Sequence, residues 1–470
     1  MTSQSAHDRL SLPRLVAFSL PGFSIGALAV ALAVFLPHYY AAHYGLALAA
    51  VGAAFGIVRF GDTFIDPLIG LFMDRTRTRL GRYRVWMLAG APLLVLAVYM
   101  LFDAPFGVSM PYLAGWLLAY YIGWSLILLS HSSWASVIAG KYHERSRVFG
   151  AIQVVSTLGA ALVLLIPALM AQRGATAGAV PAMGWFIVIA IPVGVAAATL
   201  LTREPIPADS HAERFGFRDY WEMVSRPDMA RIIISDFCLY LGPGWMSAMY
   251  IFYFHDARGF SVPAASSLLL IYVAAGVVGA AGLSWLAQKI GKHRAMQVAA
   301  TGYSLMLGGT TLLPNGDYPL AALLLFALGF LAAGFTLLDR AMVADVADAV
   351  RLEKGKQRTG LLYAMITTTQ KLAASASILL SFTVLGAIGY QAKEGAANTP
   401  AAIHGMELVY IITPIVFVML GGACYFGYGL DARKHADIRA QLDALDAGTT
   451  EPPVLDSLNA DLSVAPRPTA

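Results

Sequence analysis

The stretch Val58-Arg59-Phe60-Gly61-Asp62-Thr63-Phe64-Ile65-Asp66-Pro67 sets three charges inside an otherwise apolar run. Spacings of three and four place Arg59, Asp62 and Asp66 on one stripe of a helix. An ionisable group at membrane depth costs at least about 2.5 kcal/mol unless it is paired or wet. Three of them in one apolar helix point to an ion or proton pathway. A purely structural ion pair between Arg59 and Asp62 is the alternative. Two carboxylates one turn apart repel each other, and a sodium ion, a proton or a basic partner would each relieve that repulsion.

The rest of the chain supports a lipid setting. Of 470 residues, 58% are hydrophobic and only 13% charged, about half the charge fraction of a soluble domain. An all-α membrane protein follows, and the bilayer is its first partner. The net charge of +4 is mild and the basic residues cluster in loops, so they report topology and exclude a nucleic-acid-binding role. Cys238 and Cys424 both fall in apolar segments and imply no disulfide framework or zinc site. Residues 1–13 are polar and the apolar run after them has no clear cleavage site, so no secretory signal is expected.

A bilayer needs roughly 17–25 apolar residues per helix. On that measure twelve transmembrane helices are expected, at 14–40, 48–73, 84–102, 111–138, 148–171, 181–201, 230–254, 264–288, 295–313, 319–345, 360–387 and 407–429. Basic residues crowd alternate loops: Arg75, Arg77, Arg79, Arg82 and Arg84; Lys141, Arg145 and Arg147; Lys289, Lys292 and Arg294; Arg351, Lys354, Lys356 and Arg358. The other loops hold little beyond Arg173, Arg258 and Lys393. The positive-inside rule then puts both termini in the cytoplasm, with a bacterial inner membrane as the expected location. Residues 202–229 form the longest polar interruption, with Pro205 and Pro207. They divide the chain into an N-terminal six-helix half (1–201), a cytoplasmic middle loop (202–229), a C-terminal six-helix half (230–430) and a tail (431–470). Gly81-Arg82-Tyr83-Arg84 after span two is echoed by Gly291-Lys292-His293-Arg294 after span eight. Two six-helix halves around a central cavity are the major facilitator fold. From about 436 onward the composition predicts a short amphipathic piece and then disorder.

Lys371 lies deep in span eleven, in Thr367-Thr368-Thr369-Gln370-Lys371. That depth makes snorkelling uncomfortable and favours a cavity-facing position paired with Asp62 and Asp66. In span four, Ser130-His131-Ser132-Ser133-Trp134 offers hydroxyls, an imidazole and an indole that could line a substrate cavity. Helix back-bonding by the serines is the bland alternative. Tyr120, Gln153 and Gln370 complete the cavity candidates, with helix–helix contact as the other role for Gln153. Asp345, Asp348, Arg351 and Glu353 end span ten. With Arg358, and with Arg75, Arg82 and Arg84 across the bundle, they are expected to form a cytoplasmic gate, a solvated loop being the alternative. Asp339-Arg340 sits deeper and is expected to pair internally. Gly22-Phe23-Ser24-Ile25-Gly26 fits a hydrolase nucleophile pattern, but that motif works only at a strand-to-helix turn; in span one its small residues serve close helix approach. The chain is therefore not expected to be an enzyme, and a non-transporting receptor would have no need of a carboxylate pair with a midplane lysine.

These residues resemble the glycoside–pentoside–hexuronide:cation symporters, the melibiose permease-like family of the major facilitator superfamily. The likeness rests on Asp62-x-x-x-Asp66-Pro67-x-x-Gly70, on Arg75 to Arg84, on Met342-Val-Ala-Asp345-Val-Ala-Asp348, on Lys371 and on Leu385-Gly386-Ala-Ile-Gly389-Tyr390. It extends over most of residues 14–430. The resemblance implies that Asp62 and Asp66 bind the coupling cation, H+ or Na+, with Lys371 nearby, and that no other cofactor is needed. Where the family adds an Asn and a Thr to its sodium site, this chain has Ile65 and Ile127. Hard cations want several oxygens, so a proton is favoured over sodium. The family's sugar-binding carboxylates in spans one and four and its span-five Arg are also missing: span one has no acid, and Ser130 and Gln153 stand at the other two places. A galactoside grip of that kind is absent. The expected cargo is a small organic solute, a sugar or glycoside first and a lysophospholipid or other amphiphile second, carried by a monomer.

Overall fold

The computed structural model describes residues 10–105, 107–138, 142–175, 178–204, 217–355 and 358–446. Lys141, Lys356, the Arg145 side chain, Pro205, Pro207 and the tail beyond 446 lie outside the described residues. Among the described residues, twelve helices form the bundle: Leu12–Ala42, Leu48–Arg75, Arg84–Phe102, Met110–Ile138, Tyr142–Gln172, Ala179–Leu201, Pro227–Ala257, Val262–Ile290, Lys292–Gly309, Tyr318–Lys354, Thr359–Ala387 and Pro400–Ala423. They are spans one to twelve below. Eleven are long and apolar enough to cross a membrane on composition alone. Span nine falls short because it opens with Lys292, His293 and Arg294, yet Ala295, Met296, Ala299, Ala300 and Tyr303 bury it in the bundle.

Starts and stops follow local chemistry. Span twelve runs Pro400–Ala423, where the apolar pattern suggested 407–429. The Thr399 hydroxyl accepts the Ala402 N–H at 3.2 Å and Pro400 fills the first turn. The chain after Ala423 turns, with Gly427 at φ 63°. Span ten continues to Lys354, past the expected 345, and ends on Gly355 in the left-handed region at φ 65°. Beyond the bundle, a helix over Ala432–Asp446 lays Ile438 and Leu442 inward.

Spans one and five, one and six, two and four, three and four, and three and six are neighbours. Six positions later in the order, seven and eleven, seven and twelve, eight and ten, nine and ten, and nine and twelve repeat each pairing. The halves meet through span two against span eleven and span five against span eight, which the same repeat relates. Both span one and span seven also carry a π-helical turn near their ends, at Ala31–Phe35 and Tyr253–Ala257. Small residues set the closest approaches. A Cβ on Gly26 would collide with the Ser156 carbonyl, and one on Gly159 with the Phe23 carbonyl. Gly22 and Gly26, which mimic a nucleophile elbow in the sequence, are therefore the packing seam of spans one and five. Many large apolar side chains stay exposed, Phe60, Phe64, Leu68 and Phe72 of span two among them; a lipid-facing surface needs this.

Candidate functional site

Asp62 is fully buried. Lys371 Nζ donates to its Oδ2 at 2.7 Å and makes a still shorter bond to Asp66 Oδ2. Arg59 Nη1 lies 3.3 Å from the same Asp62 oxygen, and its guanidinium sits 4.8 Å over the Tyr121 ring. The Ser125 hydroxyl donates to Asp62 Oδ1 at 3.1 Å. The sequence-derived group of Arg59, Asp62, Asp66 and Lys371 is thus brought together as one cluster across the boundary between the halves. Two cations balance two carboxylates, which makes their burial tolerable. One atom is left over: Asp66 Oδ1 is buried with no hydrogen-bond partner among the described residues. Ile65 packs with Ile69, Met73 and Leu126, and Ile127 is buried, so neither position adds an oxygen.

The span-four candidates go elsewhere. Ser130 Oγ donates back to Leu126 O at 2.5 Å. His131 Nε2 bonds the Phe18 carbonyl at 2.8 Å, and the Phe18 ring lies 4.8 Å from His131 and 5.0 Å from Trp134. All three are buried, and His131 and Trp134 pack against Phe18 of span one. Tyr120 is fully buried beside Tyr121 and Trp124. Gln153 is exposed. None of these side chains hydrogen-bonds the carboxylate–lysine cluster. Gln370, next to Lys371, turns away and donates to Asp236 Oδ1 at 2.9 Å. Asp236 in turn lies against Asp339, which accepts from Tyr425 at 2.7 Å. Asp339 does pair internally, with a tyrosine and a second acid.

A cavity of about 290 Å³ opens between spans seven, eight, ten and eleven, with Ala33 of span one on its opposite wall. Its span-eleven wall, Ala374 and Ser377, begins one turn after Lys371. No candidate from the sequence lines it. Ser125, Tyr121 and Tyr240 were also missed, since a neutral hydroxyl in an apolar helix carries no signal of its own.

At the end of the bundle holding Arg75 to Arg84, called here the basic end, several gate candidates meet partners in their own half or in the segment flanking it. Glu204 accepts from the backbone N–H groups of Arg82, Tyr83 and Arg84 at 2.8, 2.9 and 3.1 Å. Arg84 reaches the Thr199 carbonyl, while Arg75 is exposed. Asp345 pairs with Lys292 at 2.6 Å and Asp348 with His435 at 3.1 Å. Arg226 pairs with Glu353, Arg358 with Glu222 at 3.6 Å, and Arg351 lies in the last turn of span ten. The hydrogen bond of Glu353 holds Arg226 above its ordinary range. At the far end the halves are joined: His38 packs 4.6 Å from Phe252, the Glu394 N–H donates to Ala42 O at 3.0 Å, and a Cβ on Gly52 would strike Phe382. Tyr390 there donates to Asp256.

A family model described as MFS/sugar transport protein matches residues 17–432. The chain belongs to that family. It is a multi-pass membrane transporter of the glycoside–pentoside–hexuronide symporter group, not an enzyme, and its cargo is a small organic solute. The transporter is 26% identical to an uncharacterized symporter, YnaJ, of Bacillus subtilis (strain 168), over 93% of its own length and 96% of the relative's. It is 23% identical to the isoprimeverose transporter of Lactiplantibacillus pentosus, over 91% and 92%. It is 25% identical to the glucuronide carrier protein homolog of Escherichia coli (strain K12), over 93% and 96%. Among solved structures, the nucleoside transporter NupG superposes with a TM-score of 0.65 at 13% identity, covering 88% of this chain and 98% of that one. A bacterial homolog of the human lysosomal transporter Spinster, inward-facing and unoccupied, gives 0.63 at 13% identity, covering 91% and 97%. These last two establish the fold alone.

Proposed function

We propose that the transporter is a proton-coupled symporter of a sugar or glycoside, working as a monomer by alternating access in a bacterial inner membrane with both termini cytoplasmic. The reading rests on one observation: Lys371 of one half holds Asp62 and Asp66 of the other. A proton added at the open Oδ1 of Asp66 weakens the hold of Lys371 on that carboxyl. The tie between span two and span eleven loosens, and the halves rock. The ion is thereby coupled to the conformational change, because it binds the two states unequally. A proton is favoured over sodium because Ile65 and Ile127 supply no oxygens, leaving two carboxylates and Ser125 as the donor set. On this orientation the basic end is the cytoplasmic side, and the joined far end is the closure on the opposite side of the membrane. The sugar or glycoside is proposed from the family and from the names of the relatives.

The test is uptake by proteoliposomes under imposed proton or sodium gradients, for wild type and Asp66→Asn. Uptake driven by the proton gradient and lost in Asp66→Asn supports the reading. Uptake driven by sodium alone overturns the proton assignment, and undiminished gradient-driven uptake by Asp66→Asn overturns the coupling role of the cluster.

A further inference from the structure

The cavity beside the cluster has a distinctive wall. Tyr240, Ser247, Tyr272 and Thr336 all line it, and their four hydroxyls have no hydrogen-bond partner among the described residues. Phe335 adds an aromatic surface, and Ser377, whose hydroxyl donates to Ala374 O at 2.9 Å, keeps its oxygen as an acceptor. No Asp, Glu, Lys, Arg or His is in the lining. These hydroxyls face the open space of the cavity, Tyr240 and Thr336 on exposed side chains, and a ligand rich in hydroxyls can donate to and accept from each of them. Aromatic faces suit the apolar C–H face of a sugar ring. A carboxylate entering the same space would be stripped of water against a wall with no cation. The adjoining Lys371 and Arg59 are already engaged by Asp62 and Asp66. The volume of about 290 Å³ lies at the low edge of the roughly 300–1,000 Å³ of small-molecule sites.

We propose that this cavity, built almost wholly by the C-terminal half, is the solute site, and that it takes an uncharged sugar or glycoside of small size in preference to a uronic acid. The proposal rests on the transport reading above and narrows it. Position supports it further: the Ala374–Ser377 wall follows Lys371 on the same helix, so an occupied cavity and a protonated Asp66 act on one span. Ala33, in a π-helical turn of span one, closes the site from the other half, which lets the bound solute feel the relative position of both halves.

The experiment compares two ligands that differ at one carbon, p-nitrophenyl β-glucoside and p-nitrophenyl β-glucuronide, with the β-galactoside and β-xyloside as further neutral probes. Binding to the purified full chain is read by ligand-induced thermal stabilisation and by displacement titration. At least one neutral glycoside is expected to bind ten-fold or more tighter than the glucuronide. Ala33→Phe, which fills the cavity, is expected to abolish that binding, and Ser247→Ala with Thr336→Val to weaken it at least five-fold with an unchanged unliganded Tm. If Ala33→Phe does not fold, Ala374→Leu fills the same space from span eleven. Glucuronide binding as tight as the best neutral probe overturns the proposal. So does binding that survives the filling variants, or binding of none of the four probes. A glucoside that binds in the cavity without any dependence on pH or on Asp66 instead overturns the coupling reading and leaves the site standing.

Discussion

Lys371 and Asp62 stand 309 positions apart in the chain and 2.7 Å apart in the fold. Each belongs to a different six-helix half, so this bond is a clasp between bodies that must move apart for transport. Its strength comes from burial: a charge pair out of water is weak against a well-packed apolar substitute, but losing one partner strands the other. Lys371→Met is expected to destabilise the protein by about 3–5 kcal/mol. In an Asp62→Asn, Asp66→Asn background the same change is expected to cost less than about 1 kcal/mol, because no carboxylate is then stranded. Denaturant titration in detergent measures both. Equal costs would show that Lys371 contributes through packing and not through charge.

Glu204 holds three consecutive N–H groups at the start of span three. The carboxylate meets the positive end of the helix and satisfies donors that the helix cannot. Glu204→Ala is expected to cost about 1–3 kcal/mol and to raise the hydrogen exchange of residues 82–84 selectively. Unchanged exchange there would remove Glu204 as the anchor of this turn.

The far-end closure depends on the segment between spans eleven and twelve. Burial, reinforced by the Asp256 carboxylate, pushes the Tyr390 phenol well above its ordinary range, so it stays a donor to Asp256 throughout the physiological range. Tyr390→Phe combined with Glu394→Pro, which removes the N–H that bonds Ala42, is expected to shift the protein toward a far-end-open state. Spin labels at Leu46 and Gln391, in a background with Cys238 and Cys424 replaced by serine, should then show a new population at longer distance. An unchanged distance distribution would mean that the Gly52–Phe382 seam and the His38–Phe252 contact keep this end shut without them.

Asp236 and Asp339 meet inside the C-terminal half, carboxyl against carboxyl, with Gln370 on the first and Tyr425 on the second. Asp236→Asn removes one acid while its amide can still meet Gln370 and Asp339. It is expected to leave the Tm unchanged or raise it. Tyr425→Phe, which removes the hydrogen bond to Asp339, is expected to lower stability by about 1–2 kcal/mol. A large loss of Tm in Asp236→Asn would contradict this account of the pair.

What could be read from the sequence was what breaks an apolar pattern. Asp62, Asp66 and Lys371 stand out because charge inside a greasy run has few uses, and all three meet. The serine that joins them, Ser125, is one of several in spans and looks like any hydroxyl bonded to its own helix. Ser130, His131 and Trp134 look polar enough for a cavity, yet the serine bonds back to Leu126 and the histidine settles on the Phe18 carbonyl. The cavity itself is assembled from one to five neutral residues on each of five spans, so no local pattern announces it. Span twelve was displaced because apolar residues continue past Ala423; the Thr399-Pro400 start was the better signal.

The flanks of the middle segment carry a further consequence. Glu204 is fastened to residues 82–84 and Arg226 to Glu353, so each six-helix body is tied off on its own side before the chain crosses over. A gene cut between codons 204 and 226 should yield two polypeptides that reassemble through spans two and eleven and spans five and eight, a permease in two pieces.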